Sequence, residues 1–454
     1  MVSIGTRTDA PLPDDSEAIT EEATVDGDVP LTVNDLRARP GTARSAFGAR
    51  DFRRLWIATL SSNVGTWMQN VALGAFAYQL THSASYVALI GFAQLGPLLL
   101  LAPVGGLLAD VVDRRRLLVL TNLEQMVFSA LLALVASSSH PSRGLLIAVV
   151  LAVGAGNALS GPPLSSLLPN LVPRGDLAGA ISLQSVQMNL SRVIGPAIGG
   201  LLLPAIDASG VFAVNAVTYL FAIAGAVAIR PVRQAATATG GTGRRLLGGL
   251  AAARSDRLIG SVLLTVAAIS FFCLPFIGLM PVIAARNLQL DVTGLAYGLL
   301  YACFGLGAAA GAITVGSLLV GQRRESVIAV GLVSFGALLL VFALLRSAAA
   351  AYPVVFLVGF SYFATMTSLS TRLQEHLDDA IRGRVMALYM MGFGGTVPVG
   401  LLAAGPIASA TSVSAVLIGG AVIAMLLGLL VRPKPDSPEA SHILAGNATL
   451  KETG

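Results

Sequence analysis

The chain has 454 residues, of which 55% are hydrophobic and only 12% charged, with a formal net charge of +5. A soluble chain of this length carries about twice that share of charge and divides into several domains, so a soluble multidomain enzyme is excluded. The mean hydropathy of +0.77 makes lipid the solvent for most of the chain, and the basic residues form short knots between apolar runs, which excludes nucleic acid as their partner.

Residues 1–50 begin polar and acidic (Asp14, Asp15, Glu17, Glu21, Glu22). They lack the regions of a signal peptide and are read as a disordered cytoplasmic tail. Twelve apolar segments follow, each near the roughly 20 residues a bilayer demands. The first six span 55–79, 86–109, 117–138, 144–164, 178–203 and 208–229, and the second six 259–284, 293–320, 326–346, 350–371, 384–408 and 412–431. Backbone amides in hydrocarbon need internal partners, so all twelve are expected to be helices. A Gly/Thr-rich and then basic break at 231–257 separates an N-terminal bundle (51–230) from a C-terminal one (258–432), and 433–454 is a second polar tail. Within the break, Leu246 to Leu258 reads either as a basic amphipathic helix on the membrane surface or as a flexible connector.

With the N-terminus in the cytoplasm, all 29 basic residues lie inside except Arg143, Arg286, Arg346 and the intramembrane Arg192. Both termini are therefore expected on the cytoplasmic side of a bacterial inner membrane. The run Gly106-Leu107-Leu108-Ala109-Asp110-Val111-Val112-Asp113-Arg114-Arg115 after the second segment is echoed after the eighth, from Gly316 to Arg324. Two related six-helix halves are the signature of an alternating-access transporter. Cys273 and Cys303 sit in apolar runs, and the four histidines are scattered. No metal site, cofactor, disulfide framework, ATPase or intramembrane enzyme is expected.

These features resemble the major facilitator superfamily and, over about 50–432, its drug/proton antiporter branch of multidrug and siderophore exporters. The loop after the second helix is similar to the superfamily signature G-x-x-x-D-(R/K)-x-G-(R/K)-(R/K) at Gly106, Asp110, Arg114 and Arg115, with Val111 and Asp113 departing from it. Gly195-Pro196-Ala197-Ile198-Gly199-Gly200 in helix 5 resembles the branch's antiporter motif, with Ser191 in place of its leading glycine. The resemblance implies an all-α membrane protein of twelve transmembrane helices in two pseudo-symmetric halves. It also implies a monomer that exports small amphipathic molecules in exchange for protons. A lysophospholipid or other lipid-related substrate is the nearest alternative, and a non-transporting receptor or scaffold using the acidic tail is the more distant one.

Asp110 stands at the mouth of helix 2, where arginines or the helix 11 N-terminus near Arg384 would give a latch between the halves. Glu124 lies about 12 Å along helix 3 at 1.5 Å per residue, and Arg192 about 22 Å along helix 5. Intramembrane charges cost several kcal/mol unless paired or wet. Glu124 is thus read as a proton carrier or a structural carboxylate, and Arg192 as an anion site or a support for helix 5. The family's helix 4 arginine is matched here by Leu151, which weakens any transferred coupling mechanism. Helices 1, 4, 7 and 10 line the path in the fold that the chain resembles. They offer Asn63, Trp67 and Asn70 on one stripe, then Asn157, Phe272, Tyr362 and Thr365, with Gln184 added from helix 5. Such a wall suits an amphipathic solute.

Overall fold

Short polar side chains just ahead of the apolar runs start many of the helices. Ser83, Asp113, Ser142, Asp256 and Ser412 each accept a backbone N–H from the first turn that follows, satisfying donors that no helix can bond internally. The computed structural model describes residues 41–230, 242–317, 319 and 323–431, with backbone alone at 110, 242–248, 379 and 380. The helices of the first half are α1 (Ala43–Gly48), α2 (Arg50–Thr81), α3 (Ala84–Leu95), α4 (Pro97–Val111), α5 (Arg114–Ser137), α6 (Arg143–Leu171) and α7 (Leu177–Ala228). There follow α8 (Thr242–Ser255), α9 (Arg257–Phe272), α10 (Pro275–Gly278), α11 (Met280–Arg286) and α12 (Leu295–Ser317). The chain continues through α13 (Arg324–Leu344), α14 (Ala348–His376), α15 (Asp379–Met390), α16 (Thr396–Ala410) and α17 (Val413–Leu430).

Ten helical stretches among the described residues are long and apolar enough to cross a membrane. One of them, Arg174–Ala228, is 55 residues long and breaks at Asp207 (φ 55°), giving two crossings. The more polar α2, 32 residues long, supplies the twelfth. Residues 43–48, counted above with the tail, form α1. Thr42 caps it, Ala46 is fully buried, and the helix packs on α2 and α7. Residues 231–241 of the central break lie outside the described residues. The helical alternative describes the rest of the break, since α8 packs on α9 and α15 with the Arg384 carbonyl against Gly249.

In the first half α2 packs on α7, α5 on α6 and α7, and α4 on α6; in the second, α12 packs on α14, and α13 on α14 and α17. A buried polar network ties the first half together. The Tyr219 hydroxyl lies 3.0 Å from Thr66 Oγ1 and donates to Gln125 Oε1 at 3.2 Å, while Asn215 Nδ2 donates to Gln69 Oε1 at 2.8 Å. Hydroxyls and amides that pair this way join helices where lipid offers them no partner. Leu134, Leu264, Ile313 and Val330 are among the apolar residues turned outward.

The halves meet along two seams, α7 with α12 and α3 with α16. Both seams close the end of the bundle opposite Arg114. Ser85 N and Oγ donate to Ser409 Oγ at 3.0 and 2.8 Å, and Arg286 Nη2 donates to the His82 carbonyl at 2.8 Å. A Cβ on Gly405 would stand 3.0 Å from Ser85 Cα, so this approach requires glycine.

At the arginine-rich end, Asp256 accepts N–H bonds from Leu258 and Ile259 and the Nε2–H of His376 at 2.7 Å. The His376 hydrogen bond, helped by the two amides and opposed by slight burial, holds the Asp256 carboxyl below the ordinary carboxylate range. A depressed carboxyl stabilises the fold above its unfolded-state pKa of about 4, and that contribution is lost as pH falls below it. Asp256→Ala is therefore expected to melt below wild type at neutral pH, with the difference shrinking toward about pH 3. Thermal melts across that range test this, and a pH-independent difference would contradict it.

A central cavity as candidate transport site

Three helical interruptions surround one point between the halves. Gly96 separates α3 from α4, which opens on Pro97; Cys273 and Leu274 separate α9 from α10, which opens on Pro275; and Met391–Gly395 winds as a single π-turn between α15 and α16. Each follows from local sequence: proline removes an amide donor, and glycines relax the helical preference. Irregular backbone at membrane depth is tolerated where it borders a cavity, and here it borders one of about 280 Å³. Leu98, Leu274, Gly278, Phe393 and Gly394 from these breaks form part of its wall.

The two halves contribute different chemistry. From the first come Trp67 and Asn70 of α2, Gln94 of α3, and Arg192 and Pro196 of α7. Gln94 Nε2 donates to Asn70 Oδ1 at 2.5 Å. The second half presents rings: Tyr301 and Phe304 of α12, Tyr362 and Phe363 of α14, and Phe393 of the π-turn. Tyr362 packs edge-on against Phe363 at 5.1 Å and stacks on Phe393 at 6.4 Å. The hydroxyls of Tyr362 and Ser270 are buried close to each other.

Arg192 is the one formally charged residue among the described wall residues. Its guanidinium carbon lies 5.4 Å from the Trp67 ring and 4.6 Å from the Phe363 ring, so it is held between a ring from each half. Its Nη1 donates to Asn189 Oδ1 at 3.4 Å.

Of the residues expected from sequence, Trp67, Asn70, Arg192, Pro196 and Tyr362 thus come together in the cavity. Others do not. Asn63 is a turn from Trp67 toward the arginine-rich end and outside the wall, and Asn157 is exposed on α6. Gln184 belongs to a separate small pocket with Trp56, Thr59 and Gln187. Phe272 is turned out and 45% exposed. Thr365 is fully buried, donates to the Ser361 carbonyl at 2.7 Å and packs against Gly331 of α13. Its hydroxyl is satisfied within its own helix, which frees it to fill a helix seam. Glu124 lies off the cavity, against Gly156 of α6, with Oε2 buried and without a partner among the described residues. Sequence reasoning missed Gln94, Phe363 and Phe393. Gln94 had a legible signal as the lone amide in a long apolar run.

Around the signature loop, Arg114 donates to the carbonyls of Ala109 and Ser166, and Arg115 to those of Ala226 and Val227. These arginines bind helix ends within the first half. A Cβ on Gly106 would meet nothing within 4 Å. Arg384 is exposed on α15. The expectation for Asp110 concerns a side chain outside the described residues. In helix 5, Gly195 and Gly199 seat against α2 at Trp67 and Met68, while Gly200 faces Gly298 of α12. One glycine of the motif therefore serves the seam between halves and the others the interior of the first half.

Residues 42–446 match the family model described as transmembrane secretion effector. The chain belongs to this family of major facilitator transporters. It is similar to the staphyloferrin A transporter of Staphylococcus aureus, 30% identical over 162 residues, a match covering 35% of this chain and only 41% of that protein. It is also similar to the enterobactin exporter EntS of Escherichia coli, 28% identical over 350 residues, covering 74% of this chain and 80% of that one. Among solved structures the nucleoside transporter NupG superposes with a TM-score of 0.66 at 11% identity, covering 84% of this chain and 98% of that one. A bacterial homologue of the lysosomal transporter Spinster does so with a TM-score of 0.63 at 15% identity, covering 85% and 99%. These structures share the fold. The protein is a multi-pass membrane transporter and not an enzyme.

Proposed function

We propose that this transporter exports small amphipathic molecules of the siderophore or drug type from the bacterial cytoplasm by alternating access, in exchange for protons. The observation that carries the reading is one cavity walled by both halves, with seams that seal the end holding Ser85, Ser409 and Arg286. Opening that end while closing the other would move the site across the membrane. The arginine-rich end, with both termini, then faces the cytoplasm. The siderophore names of two relatives support the substrate type, and the enterobactin exporter among them, with the helix 5 motif, supports outward transport. In this reading Asp110 is the carboxylate of an inner latch, and Glu124 carries a proton within the first half. Proteoliposome efflux with imposed gradients tests it. A pH gradient is expected to drive substrate movement, and accumulation driven by sodium and not by pH would overturn the coupling. Labelling of Arg114→Cys and Arg346→Cys from the same side would overturn the topology.

A further inference from the structure

We propose that the molecule carried in this cavity bears a negative charge on an aromatic or branched apolar body, and that Arg192 is the residue that receives the charge. The inference rests on the transport reading and names the substrate class of the same site.

The charge inventory carries it. Among the described residues the cavity wall contains no Asp, Glu, Lys or His, so Arg192 leaves it one unit positive. Removing a cation from water is costly, and two ring faces return only part of that cost. A guanidinium has five N–H donors and cannot shed its proton. One of these donors is engaged by Asn189 at the long distance of 3.4 Å. The side chain is half-buried and lines the cavity, so its remaining donors face that space. A carboxylate, sulfonate or phenolate placed there would fill the fork and cancel the charge.

The remaining wall matches the rest of such a molecule. Phe304, Phe363, Tyr362 and Phe393 of the second half form an aromatic surface for an apolar body, and the first half adds the Asn70–Gln94 amide pair. An organic cation would meet Arg192 without a counter-charge. Phe363 belongs to the second half and Arg192 to the first, so a bound anion competes with a contact that joins the halves. Binding is thereby tied to the seam that must loosen during transport.

The test compares two probes of one ring system, anilinonaphthalene sulfonate and its uncharged parent phenylnaphthylamine, on the full-length protein in lipid nanodiscs. The chain has two tryptophans, so a Trp56→Phe background leaves Trp67 as the reporter beside Arg192, and Trp67→Phe gives the blank. The sulfonate is expected to bind about tenfold more tightly than the parent. Arg192→Gln is expected to erase that preference while changing binding of the parent by less than about twofold, and Arg192→Lys to retain part of it. Equal binding of the two probes by wild type, or an undiminished preference in Arg192→Gln, would overturn the proposal. If Arg192→Gln does not fold, the wild-type ratio and the Arg192→Lys ratio decide. No gradient is applied, so a failed efflux assay with intact sulfonate preference would sink the coupling and leave this assignment standing. Efflux without charge preference would sink the assignment alone.

Discussion

Gly200→Val is expected to cut the initial efflux rate by about tenfold or more while leaving both halves folded. At this point α7 and α12 cross with no side chain between them. A Cβ on Gly200 would stand 2.8 Å from Gly298 Cα and 3.1 Å from its nitrogen, and one on Gly298 would stand 2.6 Å from the Pro196 carbonyl oxygen. Every one of those neighbours is backbone, which cannot rotate away as a side-chain tip does. Carbon atoms need about 3.5–4 Å, so the helices must separate. Overpacking of this kind costs about 1–3 kcal/mol, and the cost falls on the state sealed at the Ser85 end. An equilibrium between two states moves by about tenfold for each 1.4 kcal/mol, so the transporter should stall with that end open. Two readouts check this: the efflux rate, and labelling of a Val87→Cys thiol, buried in the sealed cavity wall, by a membrane-impermeant reagent added from the Ser85 side. Wild-type efflux together with an unlabelled thiol would show that the seam does not govern transport. Gly161→Ala, where a Cβ meets nothing within 4 Å, is the control and should transport normally.

Arg115→Gln should lower thermal stability by several degrees and reduce the monodisperse yield, an effect on folding before any effect on transport. The Arg115 guanidinium donates to the carbonyls of Ala226 and Val227, the first at 2.9 Å. These belong to the last turn of α7, where no following amide satisfies them and the helix dipole places partial negative charge. A charge-assisted hydrogen bond contributes about 1.5–3 kcal/mol, so losing two of them loosens the end of α7 from α5. Arg115→Lys should recover part of the loss, since it retains the cation but not the fork. Melting of the purified variant in detergent, followed by gel filtration, measures it. A wild-type melting temperature would mean that the arginine acts through the latch alone.

The main architecture was legible in the chain itself. The lengths of the apolar runs, the break near residue 240, and the concentration of arginine at one end follow from bilayer thickness and the cost of exposing charge to lipid. The small residues of Gly195–Gly200 announced close helix contact, and the intramembrane charge of Arg192 marked it for attention before any neighbour was known. Trp67 and Asn70 were found because three- and four-residue spacing puts them on one face.

Only the tertiary structure decided which faces meet the cavity. In water the apolar stripe of a helix marks its buried side, but in a bilayer the lipid-facing and protein-facing sides are both apolar. Periodicity therefore grouped Asn63 with Trp67 and Asn70 without saying what covers each. Thr365 turned into a seam with α13, Phe272 turned outward, and Glu124 was pressed against α6. The breaks at Gly96, Pro275 and the π-turn brought Gln94 and Phe393 to the same cavity from segments distant along the chain. Sequence composition determined that the chain crosses lipid as two sets of helices, because solvent chemistry acts on each segment separately. The site came from the packing of one set on the other, which depends on contacts between residues more than a hundred positions apart, such as Trp67, Arg192 and Phe363.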